Sequence, residues 1–523
     1  MNNLDKFDHV VVLMLENRSF DNLLGFLYDE TKAGGKPVPE GKSYAGLQGT
    51  SFSNPVPSRF PVKDGHPNAV PVAISSDYHQ PFPDPGEEYP HINTQLFNHV
   101  DSQNIKVEGD KMTAPYNLPA PVPTTPTMNG FVNDYINTLQ AMKEAKYQNP
   151  TLAQYEVIMQ CFEPQQVNVL STLAREFAVF DHWHCSVPSQ TWCNRAFWHA
   201  ATSGGKVINP IGEGHMVSNF SSWIENVWTK ENLFGLLHKK GISSTVYTAN
   251  PFSLTSLVNG IHKVGPIKHD SFGSGIEKFT RDLTNNNLPQ YSFIEPKFIL
   301  QHNDQHPSSV SGVLDGPTKD GTVILGEKFI WDVYNAIKNS VYWDKTLFII
   351  TYDENGGCFD HIPPPACVPP GGDNISQEDF NFDRLGVRVP MVMISPYITK
   401  NTIINETFEH SSFIKTMSDK WDLGNLTDRD KNATSFSSVF SDTKRSCYPE
   451  IQEPVLTHGL DNGEAYVNDP LNGLQKSILA GVIEIAKNNT LTKENTTLKK
   501  SVEDIPTVQD AMDYLTKVKD LLF

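Results

Sequence analysis

The 523-residue chain holds six cysteines, too few and too scattered for a disulfide framework. Cys185 and Cys193 are close in sequence, but neither has metal-type spacing to a further Cys or His, so the cysteines read as structural residues. No apolar run approaches the roughly 18 residues of a membrane span. A secretory leader is not recognisable either: Asp5, Lys6 and Asp8 crowd the start, and the apolar stretch that follows is short and runs into Glu16. The expectation is a cytoplasmic protein with no transmembrane segment; secretion stays open if a leader was removed or is non-standard. Positive charge is scarce too. Sixty acidic side chains against 42 basic ones give a net charge of −18, which argues against a nucleic-acid partner, since such binders carry a basic footprint. Nothing marks an obligate protein partner or an internal repeat.

What the chain does have is a set of short apolar runs that read as buried parallel strands: Val10–Leu15, Ser244–Tyr247, Tyr291–Ile294, Leu347–Tyr352 and Val389–Ile394. Amphipathic stretches lie between them. In "GEKFIWDVYNAIKNS" the residues Phe329, Ile330, Val333, Tyr334 and Ile337 recur at helical steps, and "WTKENLFGLLHKKG" reads as a helix closed by Gly241. Strands alternating with helices predict an α/β fold with a mainly parallel sheet flanked by helices. Residues 30–130, rich in Pro, Gly, Ser and Asn, read as a loop-rich insertion that folds over the sheet edge and lines a pocket. A second excursion spans 363–383. Beyond about 425 the strand signals stop and helical patterns remain. The expected organisation is a catalytic domain over 1–425 and a helical C-terminal extension over 426–523.

In an open α/β sheet, ligands bind beyond the carboxyl ends of the strands. Glu16 and Asn17 follow the first strand. Asp353 and Glu354 follow the strand ending at Tyr352, with Asp360 and His361 after them; Glu295, His302, Asp304 and His306 follow Ile294; His410 lies past Ile394. Singly, each has a plain alternative as a helix cap or a surface residue. Together, four strand ends deliver carboxylates, an amide and histidines to one face. Carboxylate and amide oxygens are hard ligands for a divalent cation, and histidine suits zinc or iron.

Five stretches in order, "ENRSFDN", "VPSQTWCNRAFWHAATS", "TYDENGGCFDHIPPP", "GVRVPMVMISPYI" and "FEHSSFIK", resemble the bacterial and fungal phosphoesterase family of phospholipases C and an acid phosphatase. The resemblance implies an alkaline-phosphatase-like fold. It also implies Glu16, Asn17, Asp353 and Glu354 as metal ligands, Thr191 as nucleophile, and His306, His361 and His410 as active-site histidines. The implied cofactor is one or more divalent ions, with calcium, magnesium, zinc and iron all compatible with such a set. Two departures stand out. Cys193 replaces a proline of the family's Thr-Trp-Pro-Asn-Arg stretch. In "DPGEEYPHINTQLF" Glu87 stands where the family often has a histidine, and His91, one helical turn on, is the candidate replacement. Arg195 either contacts phosphate or pins its loop through a buried ion pair. Asp360 either orients a histidine or holds its turn.

The chemistry expected is attack by the Thr191 hydroxyl on phosphorus through a phosphothreonine intermediate. The implied substrate is a phospholipid or small phosphoester. Threonine as nucleophile favours a phospholipase C acting on headgroup phosphodiesters; the alternative is a broad acid phosphatase on monoesters. A non-catalytic binding protein on the same scaffold is the third reading. Tyr135, Trp183, Trp192 and Trp198 are candidates for holding a quaternary ammonium, or are simply core.

Overall fold

The computed structural model describes residues 3–522 except 61–66, 143, 211–219, 262–266, 270–274, 301, 308–321, 373–375, 456–466, 469, 490–491, 493–494 and 496–497; residues 373–375 of the excursion expected at 363–383 thus lie outside the description. At its centre is an eight-stranded sheet. Its strands are β1 (His9–Leu15), β2 (Ala178–Phe180), β3 (Ser244–Thr248), β4 (Ile267–His269), β5 (Tyr291–Ile294), β6 (Thr346–Tyr352), β7 (Met391–Ile394) and β8 (Thr402–Ile404). Their order across the sheet is β8-β2-β7-β6-β1-β5-β3-β4. β1 lies in the middle, parallel to β5 and β6 and in register from Val10 against both Tyr291 and Leu347. Its apolar run is wholly buried, and each such side chain contributes roughly 1.5–3 kcal/mol of transfer free energy.

The sheet is mainly parallel, as expected, but β7, read from its apolar run as a parallel strand, is antiparallel to both β6 and β2. The physical reason lies in the connection. Between Tyr352 and Met391 the described residues form no α-helix, and without a helical crossover the chain re-enters the sheet beside β6 in the opposite sense.

The helices that matter for the site are α1 (Tyr89–Phe97), α2 (Thr191–Ala200), α3 (Val323–Lys338), α4 (His410–Trp421), α5 (Gly473–Asn488) and α6 (Val508–Leu522). α4 packs on α2, with Trp198 and Phe413 stacked at 4.5 Å between ring centroids. The residues expected to be a long loop, 30–130, carry α1 and two short strands that pair with one another, and they share an apolar core with the helix Phe131–Ala141. The C-terminal helices do not stand apart. Leu474, Ile478 and Val482 of α5 and Leu515 of α6 join Trp192, Ala196 and Phe197 of α2 in one cluster. Trp192 also donates its indole N–H to Ser477 Oγ at 2.8 Å. Among the described residues no helix is long and apolar enough to cross a membrane.

Candidate active site

β1 and β6 run parallel and end side by side, Leu15 against Tyr352. The four residues that follow, Glu16 and Asn17, Asp353 and Glu354, are therefore delivered to one point, and all four are fully buried. Asn17 adopts φ +53°, a left-handed conformation that asparagine tolerates better than most residues. This bend holds the Asn17 amide N–H on Asp353 Oδ1 at 3.0 Å. The "NGG" that follows Glu354 has a steric cause. Gly356 (φ +56°) packs so close to Asn17 that a Cβ would lie 2.3 Å from its carbonyl oxygen, and Gly357 (φ +65°) is equally tight against Gly86. Only glycine combines that backbone with that approach.

Thr191 enters at the first position of α2. Its Oγ1 donates to Glu16 Oε2 at 3.1 Å and lies 3.4 Å from Asn17 Oδ1. Asn194 accepts from Val187 N–H and donates to the carbonyls of Val187 and Ser189, which pins the loop that presents the threonine. Asp353 Oδ2 and Glu354 Oε1 are buried with no hydrogen-bond partner. Burial, and then Glu87, push the Glu354 carboxyl well above its ordinary range; Glu16 is raised by burial against the pull of Arg195. Buried carboxylate oxygens without donors are costly unless a cation meets them. Glu16, Asn17, Asp353 and Glu354 thus fit a divalent ion, with Thr191 Oγ1 beside it.

The remaining candidates fall into different surroundings. Arg195 is buried and bonds Glu16 Oε1 and the Met14 carbonyl, with its Nε 3.9 Å from Asp353 Oδ2. Of the two readings open in the sequence, the buried ion pair with Glu16 is present, while Arg195 Nη1 is left without a hydrogen-bond partner. His410 accepts from Trp183 Nε1 at Nδ1 (3.2 Å) and so must donate from Nε2 to the Asp353 carbonyl (2.6 Å). Both ring nitrogens are engaged, burial lowers its pKa, and its job is to position Asp353. His361 is held by Asp21 at 2.5 Å in a separate cluster with Asp360 and Arg388, and it has no hydrogen bond to Thr191 or the four ligand candidates. His91 is locked on Asp134 at 2.8 Å, with Glu88 at 3.8 Å. Burial alone would lower its pKa, but Asp134 and Glu88 outweigh that and raise it to about 9. It is a structural cation rather than a substrate contact. Among these candidate histidines, His306 is the one with a buried nitrogen that lacks a hydrogen-bond partner. Its Nδ1 meets the Pro307 carbonyl at 2.8 Å, which fixes the proton there, and the buried Nε2 has no partner.

Three residues escaped the sequence reading as participants. Glu87 accepts from Asn17 Nδ2 and from Gln190 Nε2 (3.2 Å) and lies 3.9 Å from His306 Nε2. Burial and Glu88 push its carboxyl up to about 8, which a cation drawn among these acids would reverse. Gln190 also accepts the Asn209 N–H at 2.9 Å. Asn209 takes the Trp192 N–H on Oδ1 at 2.9 Å and leaves its buried Nδ2 without a partner. The Trp192 amide at the start of α2 is thereby occupied. No spacing rule links Glu87 or Asn209 to Thr191; only the fold does.

The aromatic candidates are core. Trp183, Trp192, Trp198 and Tyr135 are fully buried, and the Tyr135 hydroxyl is used on the Pro83 carbonyl. The acid after β5, Glu295, takes the plain alternative: it accepts from Ser253 Oγ and Thr255 N–H at the start of a short helix.

The chain is 32% identical to non-specific phospholipase C1 of Arabidopsis thaliana over 463 residues, 84% of this chain and 72% of that one. It is 29% identical to non-specific phospholipase C3 of the same plant over 488 residues, 90% and 80%. Among solved structures, the phosphonate monoester hydrolase of Agrobacterium radiobacter is 12% identical, and the match covers 54% of this chain and 74% of that one, at a TM-score of 0.33. Residues 7–424 match the Phosphoesterase family, and the chain belongs to that family.

Proposed function

We propose that this protein is a metal-dependent phospholipase C that cleaves the headgroup phosphodiester of phospholipids through a phosphothreonine on Thr191. The observation that carries the reading is the Thr191 hydroxyl bonded to Glu16 beside the unpartnered carboxylate oxygens of Asp353 and Glu354. The donor atoms there are all oxygens, which favours a hard ion such as calcium or magnesium over zinc. When bound, such an ion supplies charge neutralisation at the phosphoryl oxygens and acidifies a neighbouring hydroxyl.

The chain's own residues supply the rest. Glu16 Oε2 accepts the Thr191 hydrogen bond and is placed to take its proton as Oγ1 attacks phosphorus; the bond from phosphorus to the alcohol oxygen breaks, and the departing alkoxide takes its proton from solvent. Asn209 Nδ2 offers a donor to a phosphoryl oxygen. In the second half, the bare Nε2 of His306 draws a proton from the water that attacks phosphorus, the bond from phosphorus to Thr191 Oγ1 breaks, and Glu16 returns its proton to Oγ1 as the phosphate monoester leaves. Arg195 and His410 hold the carboxylates in place. A diester is favoured over a monoester because relatives that match most of the chain are named phospholipases C.

The test compares hydrolysis of p-nitrophenyl phosphorylcholine and p-nitrophenyl phosphate by one metal-loaded sample. The diester should be cleaved faster. A faster monoester at acid pH would make this a phosphatase.

A further inference from the structure

Between Asp304 and the base His306 lies Gln305, wholly buried, with φ +71°. That left-handed backbone is one a glutamine side chain disfavours. Three elements hold it there. Arg18, three residues past β1, donates from Nε to the Gln305 carbonyl at 2.7 Å. Tyr352, the last residue of β6, donates its hydroxyl to Gln305 Oε1. Gln305 Nε2 donates to the carbonyl of Val323, the first residue of α3, at 2.7 Å. One turn on in α3, Gly326 faces the same side chain: a Cβ there would lie 2.1 Å from Gln305 Cγ. Glycine is unfavourable inside a helix relative to alanine, so what Gly326 provides is room for Gln305. The loop is tied to the centre as well. The Asp304 carbonyl accepts the Glu16 N–H at 2.9 Å, and Asp304 Oδ1 accepts the His306 N–H at 3.0 Å.

We propose, resting on the phosphothreonine reading above, that Gln305 is a positioning residue for His306: it fixes the imidazole that takes the proton from the attacking water. Gln305 meets none of the four ligand candidates and does not bond Thr191; both ends of its amide are used on Tyr352 and Val323. Those bonds keep a backbone that would otherwise relax to an ordinary conformation. The Gln305 carbonyl carbon is bonded to the His306 nitrogen, so such a relaxation swings the ring. The ring's own tether, Nδ1 on the Pro307 carbonyl, is local and moves with it. A misplacement of about 1 Å can cost about 10²-fold in rate. His306 serves the second half of the reaction, so loosening Gln305 slows that half and leaves the attack by Thr191 alone. A residue that merely stabilised the fold would slow both.

The experiment is rapid-mixing kinetics of the metal-loaded full chain on p-nitrophenyl phosphorylcholine, which gives up its chromophore in the first half of the reaction and phosphorylcholine in the second. Gln305→Asn tolerates the left-handed backbone but is one methylene too short for Tyr352 and Val323. It should release about one equivalent of p-nitrophenolate per chain in the first turnover, at a rate within about threefold of wild type, while the steady-state rate falls by about tenfold to 10²-fold. Gly326→Ala, which crowds Gln305 without altering it, should show the same pattern with a fall of about fivefold, although alanine suits the helix better. It carries the test should Gln305→Asn fail to fold. His306→Ala should show the pattern in full. A steady-state rate within about twofold of wild type in both Gln305→Asn and Gly326→Ala overturns the positioning role. A first turnover slowed as much as the steady state overturns it too, by making Gln305 a packing residue. His306→Ala turning over like the wild type refutes the second-half role of His306, and the positioning role with it. No release of p-nitrophenolate by a metal-loaded wild type refutes the phosphodiesterase reading itself.

Discussion

Replacing His91 separates a structural cation from a substrate contact. The imidazole is buried with Asp134 at 2.8 Å and Glu88 at 3.8 Å, and its pKa is raised to about 9. In the unfolded chain it titrates near 6.5. The folded state therefore holds the proton more tightly, so the stabilisation is complete below about pH 6.5 and is lost as pH climbs through about 9. A difference of about 2.5 pK units at about 1.4 kcal/mol each gives a contribution of about 3 kcal/mol. His91→Gln also loses a hydrogen bond, but that loss does not vary with pH. The variant should thus be less stable than wild type at pH 6, and about 3 kcal/mol of that deficit should vanish by pH 9.5. Urea unfolding of both proteins at five pH values measures it, with chevron-independent equilibrium midpoints and slopes. A deficit that stays constant across this range would refute a charged His91. A raised KM with no stability change would return the residue to the substrate.

Three further outcomes are expected. Thr191→Ala should lower kcat on p-nitrophenyl phosphorylcholine by about 10⁴-fold or more, in line with loss of a nucleophile; activity within tenfold of wild type would remove Thr191 from the chemistry. Asn209→Ala should cost about 10²–10³ in kcat with little change in KM, the signature of a donor used mainly in the transition state, and an unchanged kcat would leave Asn209 as a loop pin. Dialysis against a chelator, with metal loss verified by elemental analysis, should abolish turnover and lower the melting temperature, and added calcium or magnesium should restore both. Full activity in a verified metal-free sample would refute the cation.

The sheet was legible because its central strands are fully buried and so read as unbroken apolar runs: Tyr291–Ile294 is matched to the residue, and the first strand gains only His9. β4 and β8, three residues each, carry too little pattern to be seen. The direction of β7 was hidden because orientation is set by the connection, not by the strand's own residues. At the site, residues at adjoining ends of parallel strands were legible, since topology alone converges them. The histidines were not separable, because the difference between His306 and His410 is one hydrogen bond: the Trp183 indole occupies His410 Nδ1, while His306 Nε2 is left bare. Glu87 was visible as an oddity, yet its place beside Asn17 depends on how the insertion folds back.

Proximity of acidic ligands is a poor guide to where the cation goes. Among the described residues, the one trio of acidic and histidine ligand atoms lying within 4.8 Å of one another is Asp21, Asp360 and His361, outside the proposed centre. There Arg388 bonds both carboxylates at 2.9 Å and meets the carbonyls of Ala45 and Asp181, the Asp360 oxygens also take the N–H groups of Asp21 and Ile362, and no oxygen of the trio is without a partner. That cluster is electrically closed: its cation is a guanidinium, and a metal entering it would have to displace four hydrogen bonds made by a buried arginine. Around Thr191, four carboxylates, those of Glu16, Glu87, Asp353 and Glu354, face one guanidinium, and Asp353 Oδ2 and Glu354 Oε1 have no donor. A buried acid left unpaired costs several kcal/mol, so this cluster gains from a divalent ion what the other already has from Arg388. The unsatisfied lone pairs of Asp353 and Glu354, not the shortest spacing, support the proposed metal centre, and they lie beside the Thr191 hydroxyl that the proposed phosphoryl transfer needs.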